Sequence, residues 1–186
     1  YMDIHFEDES NVSVDDYLEM IHLKTSCLIS ASIRIGAILA GADETVDAIL
    51  AEIGDHAGLA FQIQDDYLGI WGDTIATGKS NLTDLITRKK TYPILLGLSC
   101  CPSFKTAWDA NAQVTPELAR HMAELLSNCS VDESTIEAVF YHLKQIRERQ
   151  KSLPLGEETK NDYLWSLINS AFSPTFEVSP KSAQRI

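Results

Sequence analysis

Three oxygen-bearing side chains crowd the end of one apolar run: Gln62, Asp65 and Asp66 in "FQIQDDYLGIWGD". Residues three and four apart share a helix face, so the amide of Gln62 falls beside both carboxylates. The helix macrodipole disfavours anions at a C-terminal end, and a local cation reverses that penalty. Hard divalent ions such as magnesium (Mg2+) take oxygen ligands, often one or two carboxylates together with substrate phosphate oxygens. Basic residues follow at once: Lys79 in a glycine-containing loop, then Lys89 and Lys90 after Asp84. Carboxylates for a metal with lysines nearby suit a diphosphate. A lone Asp-Asp pair is more often a solvated helix end; the combination with Gln62, Lys79, Asp84 and Lys89 argues for more.

Lys24 belongs to a second group. Tyr17, Ile21, Leu28, Ala31 and Ile35 fall on three- and four-residue steps, and Lys24 fills the gap in that row. The row predicts an inward stripe containing one ammonium. Burying a lone ammonium is very costly, so Lys24 must meet an anion or reach the rim by its long stem.

The elements that must position these groups read as helices almost throughout. Ser13 followed by Asp16 is a capping signal for a long helix ending near Gly41. Asp43 or Glu44 starts a second, carrying Val46, Leu50, Ile53, Ala57, Ala60 and Ile63 on one face. Gly69 to Ser80 reads as a loop. A third helix covers about Thr83 to Cys100, with Pro93 kinking it or resetting its start, and Pro102 stopping it. Helices near Thr115–Ser127, Glu133–Lys151 and Thr159–Phe172 follow. No alternating strand or hairpin dipeptide stands out. The expectation is one all-α domain over residues 1–172 with a tail over 173–186.

Charge and composition narrow the partners. A net charge of −12 argues against nucleic acid and against a polybasic membrane anchor. No apolar run reaches the length of a membrane-spanning helix. Cys27, Cys100, Cys101 and Cys129 lack zinc-ligand spacing, so reduced, mostly buried thiols in a cytoplasmic protein are expected.

Three stretches, in order, resemble the trans-isoprenyl diphosphate synthases, the polyprenyl synthetase family. "FQIQDDYLGIWGD", "TGK" and "TDLITRKKTYP" are similar to its second aspartate-rich region. "YLEMIHLKTSCLISASIRIGAILAGAD" is similar to its Lys-Thr helix, and "YMDIHFE" to the remainder of its Gly-Gln-x-x-Asp segment. The likeness runs from residue 1 to about 100. It implies an all-α isoprenoid-synthase-type bundle, here the C-terminal portion. It also implies ionisation of an allylic diphosphate and head-to-tail attack by isopentenyl diphosphate. Magnesium and fixed cations would stabilise the leaving diphosphate. By position, Lys24, Thr25, Gln62, Lys79 and Lys89 would bind diphosphate, Asp65 and Asp66 would hold metal, and Lys24, Asp65 and Lys79 would carry the catalysis. A homodimer is expected.

Two departures accompany the likeness. Where the family often has Asp-Asp-x-x-Asp, the fifth position here is Gly69. The family's first aspartate-rich motif and its following arginines have no counterpart in residues 1–186, so a missing N-terminal half or a partner chain is expected to supply them. A terpene cyclase of the same fold and a non-catalytic subunit are the alternatives.

Overall fold

A computed structural model describes residues 6, 9, 11–72, 82–154 and 163–172, and every regular element among them is helical. In chain order these are α1 (Val14–Ile21), one π turn (His22–Ser26), α2 (Cys27–Leu39), α3 (Glu44–Trp71), α4 (Thr83–Ile86), α5 (Tyr92–Cys100), α6 (Pro102–Ala110), α7 (Pro116–Asn128), α8 (Val131–Lys151) and α9 (Tyr163–Ser170). Lys79 and the tail 173–186 lie outside the described residues.

The starts of the helices follow local chemistry. The Ser13 hydroxyl accepts from the Asp16 N–H at 3.1 Å, and the Asp16 carboxylate accepts from the Ser13 N–H at 2.9 Å, a reciprocal cap. Asp43 accepts from the Val46 N–H at 2.9 Å and Thr115 from the Leu118 N–H at 3.3 Å. Gly41 sits at φ +80, a left-handed conformation that ends α2 without a Cβ penalty.

The chain divides into two compact units, Tyr1–Met20 with Ile63–Glu137, and Ile21–Gln62 with Ala138–Ile186. The first unit holds a core of Ile70, Leu85, Ile94, Phe104, Trp108 and Leu126 with their neighbours. Pro93 resets a helix rather than kinking one: residues 87–91 break the run and α5 begins at Tyr92. Pro102, expected only as a stop, also opens α6, because proline has no N–H to lose in a first turn. Cys101 and Cys129 form a disulfide with Cα atoms 6.0 Å apart, which corrects the expectation of reduced thiols. The helical turnaround through α6 and α7 brings them together, and spacing alone does not encode it. Closing a loop of this length stabilises by about 3–4 kcal/mol. Cys27 and Cys100 are free and exposed rather than buried.

In the second unit the expected stripe on α2 is also corrected. Leu28, Ile35 and Ile38 are 70%, 59% and 59% exposed, while Ser26, Ser30 and Ala37 are buried. The π turn accounts for the change. It inserts one residue, so everything after it rotates by about 100°. From Ile21 the inward row therefore runs Ile21, Ser26, Ser30, Ala37, and Lys24 stands exposed on the turn instead of inside the row.

Small residues on α3 meet that serine row. A Cβ built on Gly54 would lie 2.5 Å from Ser30 Cα, and one on Gly58 would lie 2.6 Å from Ser26 Oγ. The Ser30 hydroxyl donates to the Ala51 carbonyl at 3.0 Å. On the α8 side, His56 and His142 approach with their Nδ1 atoms 2.9 Å apart. Burial, then the His56 ring, pushes His142 from its ordinary 6.5 down to about 4. Burial and Arg149 lower His56, partly offset by Glu52 and Asp55. An unfolded chain takes up these protons below pH 6.5, before the folded one does, so stability is lost as pH falls from there towards 4. By pH 5 the loss is about 1–2 kcal/mol after allowing for partial solvent screening. Melting temperatures at pH 7.5 and pH 5 test this. His142→Gln is expected to flatten the wild-type pH dependence, and an unchanged slope rules the pair out as its source.

Candidate functional site

The Lys24 group is built on the π turn. Thr25 donates its hydroxyl hydrogen to Gln62 Oε1 at 3.2 Å, so two residues 37 positions apart stand side by side. Both are half-buried, and Lys24, next to Thr25, is exposed. A π turn is costly in a helix and is found disproportionately at functional sites. Here it turns an ammonium and a hydroxyl to positions that an unbroken helix would not give them.

The aspartate group lies in the first unit. Asp65 is half-buried. Asp66 is fully buried, and its Oδ2 accepts from the Tyr17 hydroxyl and from the Tyr92 N–H, the latter at 3.1 Å. The two neighbours therefore differ sharply. The expectation of Asp66 as a metal ligand meets a carboxylate with no solvent-accessible face, engaged by protein donors. Tyr17 and Tyr92 carry no mark in the sequence that makes them site residues. Tyr17 looked like core, and no spacing rule links positions 17, 66 and 92.

Gly69, the missing third aspartate, has a structural counterpart. A Cβ placed on it would lie 2.8 Å from Asp84 Cγ. Asp84's carboxylate thus fills the space that a side chain at position 69 would take. Positions 65 and 69 share a face about 5–6 Å apart.

The basic residues also separate by role. Lys90 donates to the main-chain carbonyls of Phe6 at 2.6 Å and Glu9 at 2.5 Å. Arg88, in the left-handed region at φ 55, lays its guanidinium 4.1 Å from the Trp108 ring centre. It donates to the carbonyls of Trp108 and Asn111 at 2.9 and 2.5 Å, closing the C-terminal end of α6. Lys89 is exposed between them. Thr87, Arg88, Lys89, Lys90 and Trp108 line a cavity of about 400 Å3. Lys79 and Asp73 lie outside the described residues.

Among the described residues no group of three or more His, Cys, Asp or Glu is arranged to hold a metal ion. The donors present are hard oxygens, from Asp65 and from Asp84 over Gly69. That set fits magnesium, which keeps waters and phosphate oxygens for most of its shell. No helix among the described residues is long and apolar enough to cross a membrane.

A family model described as polyprenyl synthetase matches residues 1–129. The (2E,6E)-farnesyl diphosphate synthase of Mycobacterium bovis is 48% identical over 92 residues, 50% of this chain and 26% of that protein. The geranylgeranyl pyrophosphate synthase of Geoglobus acetivorans is 33% identical over 170 residues, 91% of this chain and 51% of that protein. The chain thus spans about half the length of that curated relative, and less of others. The crystal structure of a polyprenyl synthetase from Streptomyces coelicolor superposes with a TM-score of 0.83 at 32% identity, over 92% of this chain and 54% of that one. The helical framework, the motif residues on it and the matched model lead to one assignment: the chain belongs to the polyprenyl synthetase family.

Proposed function

We propose that this chain is the C-terminal part of a prenyltransferase that joins isopentenyl diphosphate to an allylic prenyl diphosphate. The carrying observation is the Thr25–Gln62 hydrogen bond, which sets two residues of the diphosphate-binding pattern beside Lys24. In this reading Lys24, Thr25, Gln62, Lys79 and Lys89 bind the allylic diphosphate. Asp65 would hold magnesium, with help from Asp84. Magnesium, when bound, would neutralise charge on the diphosphate. The residues of the chain then do the rest. Lys24 and Lys89 offer fixed positive charge to the diphosphate as the allylic C–O bond breaks and the electron pair leaves with it. Thr25 and Gln62 orient it through hydrogen bonds. The alkene of isopentenyl diphosphate forms the new C–C bond, and a proton is lost from the adjacent carbon.

The exposed row Leu28, Ile35 and Ile38 supports a longer protein. An apolar face of that kind is a surface for further protein rather than for water. A homodimer and a cytoplasmic location go with the reading.

The test uses the full-length protein with magnesium, isopentenyl diphosphate and allylic primers of increasing length, followed by mass spectrometry. A prenyl diphosphate longer by one or more isoprene units is expected. Its absence with every primer overturns the reading. Hydrocarbon or alcohol formed from a single prenyl diphosphate, with no isopentenyl diphosphate present, replaces it with a cyclase.

A further inference from the structure

Adjacent aspartates on a helix point about 100° apart, so Asp65 and Asp66 cannot serve the same surface equally. The structure gives each a different surface. Asp65 is half-buried at the side of α3, and Asp66 is turned fully inward. A buried carboxylate is tolerated only when its oxygens are satisfied. The Asp66 Oδ2 meets two donors: Tyr17, itself buried, donates its hydroxyl, and Tyr92 donates its N–H at 3.1 Å.

That second donor identifies what Asp66 holds. Tyr92 is the first residue of α5, whose free N–H groups favour a negative charge. The residue before it, Thr91, does not cap: its hydroxyl is buried with no hydrogen-bond partner. Asp66 supplies the acceptor that Thr91 does not. It thereby ties one turn of α3 to the start of α5. Asp65 stands one residue before Asp66, and Lys89 stands three residues before Tyr92. Tyr17 braces the same carboxylate from α1.

We propose that Asp66 is a positioning residue, and not a metal ligand: it fixes Asp65 and Lys89 in one frame through the Tyr17 hydroxyl and the Tyr92 N–H. The inference rests on the reading of Asp65 and Lys89 as metal and diphosphate groups. Its consequence is quantitative, because a misplacement of about 1 Å in a site of this kind costs up to about 100-fold in rate.

The test uses the full-length protein with Asp66→Asn, Asp66→Ala, Tyr17→Phe and Asp66→Ala/Tyr17→Phe. Two readouts are taken: kcat/KM for the allylic diphosphate, and Mn2+ binding with inorganic diphosphate followed by electron paramagnetic resonance. The Asp66 variants are expected to lose about 10–100-fold in kcat/KM, and Tyr17→Phe about 3–10-fold. Mn2+ affinity should stay within about twofold in all of them, and the double variant should be no worse than Asp66→Ala, since both act along one path. Exchange of the Tyr92 amide hydrogen should quicken in Asp66→Ala. Mn2+ binding weakened about tenfold in Asp66→Asn but untouched in Tyr17→Phe would make Asp66 a ligand and overturn the proposal. Unchanged kcat/KM in correctly folded Tyr17→Phe overturns it as well, and that variant serves even if the Asp66 changes prevent folding. If the wild-type protein makes no prenyl product, the reaction reading fails, and the Mn2+ titration with the Tyr92 exchange rate decides this inference by itself.

Discussion

Gly58→Ala is expected to destabilise the protein by about 3 kcal/mol. Alanine normally favours a helix interior over glycine by up to about 1 kcal/mol, so propensity alone predicts the opposite sign. Contact decides otherwise. The added Cβ would lie 2.6 Å from Ser26 Oγ and 2.8 Å from Ser26 Cβ, closer than such atoms can stand. Ser26 cannot swing aside, because it is fully buried and ends the π turn. The backbone carrying Lys24 and Thr25 must therefore move with it. Gly36→Ala is the control. It lies in α2 with nothing within 4 Å of its would-be Cβ, so it should stabilise by about 0.5–1 kcal/mol. Urea melts of the two variants check the pair of signs. A Gly58→Ala protein as stable as wild type would show that the α2–α3 crossing is looser than the distances say. A selective loss of diphosphate binding at temperatures where Gly58→Ala remains folded is the further expected result, since Thr25 meets Gln62 one turn along the same helix.

The helix starts at Ser13, Asp43 and Thr115 were legible in the sequence because each cap is a contact within three residues. The buried face of α3 was legible for a similar reason. Ile53, Ala57, Ala60 and Ile63 keep helical spacing, and all are buried. The face of α2 was not, because the π turn at His22–Ser26 breaks the spacing without a proline or glycine to mark it. An apolar row at Leu28, Ile35 and Ile38 is consistent with an inward stripe by period alone; only the register decides, and the turn changes the register. The candidate site divides along the same line. Residue types and order pointed to oxygen ligands and diphosphate. Which of two aspartates faces inward, and which of two lysines is tied to main-chain carbonyls, depends on Tyr17, Tyr92, Phe6 and Glu9, residues up to 84 positions away. Arg88 shows the limit most plainly. A long charged side chain at positive φ is unfavourable locally, and it is held by Trp108 on α6 and by Asn111 just past its end.

Asp65→Ala in the full-length enzyme is expected to lower kcat about 100- to 1,000-fold, equivalent to about 3–4 kcal/mol of lost stabilisation. The size follows from what is left behind. With Asp66 turned inward and position 69 a glycine, Asp65 is the aspartate of this motif that stands half-exposed on the side of α3. Asp84, whose carboxylate overlies Gly69, gives a second oxygen donor but not a second copy of Asp65. Added magnesium should rescue the variant only in small part, because saturating a weakened site does not restore the geometry about the leaving group. Asp65→Glu keeps the charge and should recover part of the rate. The melting temperature should hardly move, since the carboxylate removed is half-exposed and interactions near the surface contribute little to stability. That last point separates Asp65 from Asp66, whose loss takes an acceptor from a buried hydroxyl and from a helix-start N–H. A wild-type rate in Asp65→Ala would remove the metal assignment. A large fall in its melting temperature would instead make Asp65 a structural residue, and the metal-bearing carboxylate would have to be sought at Asp84.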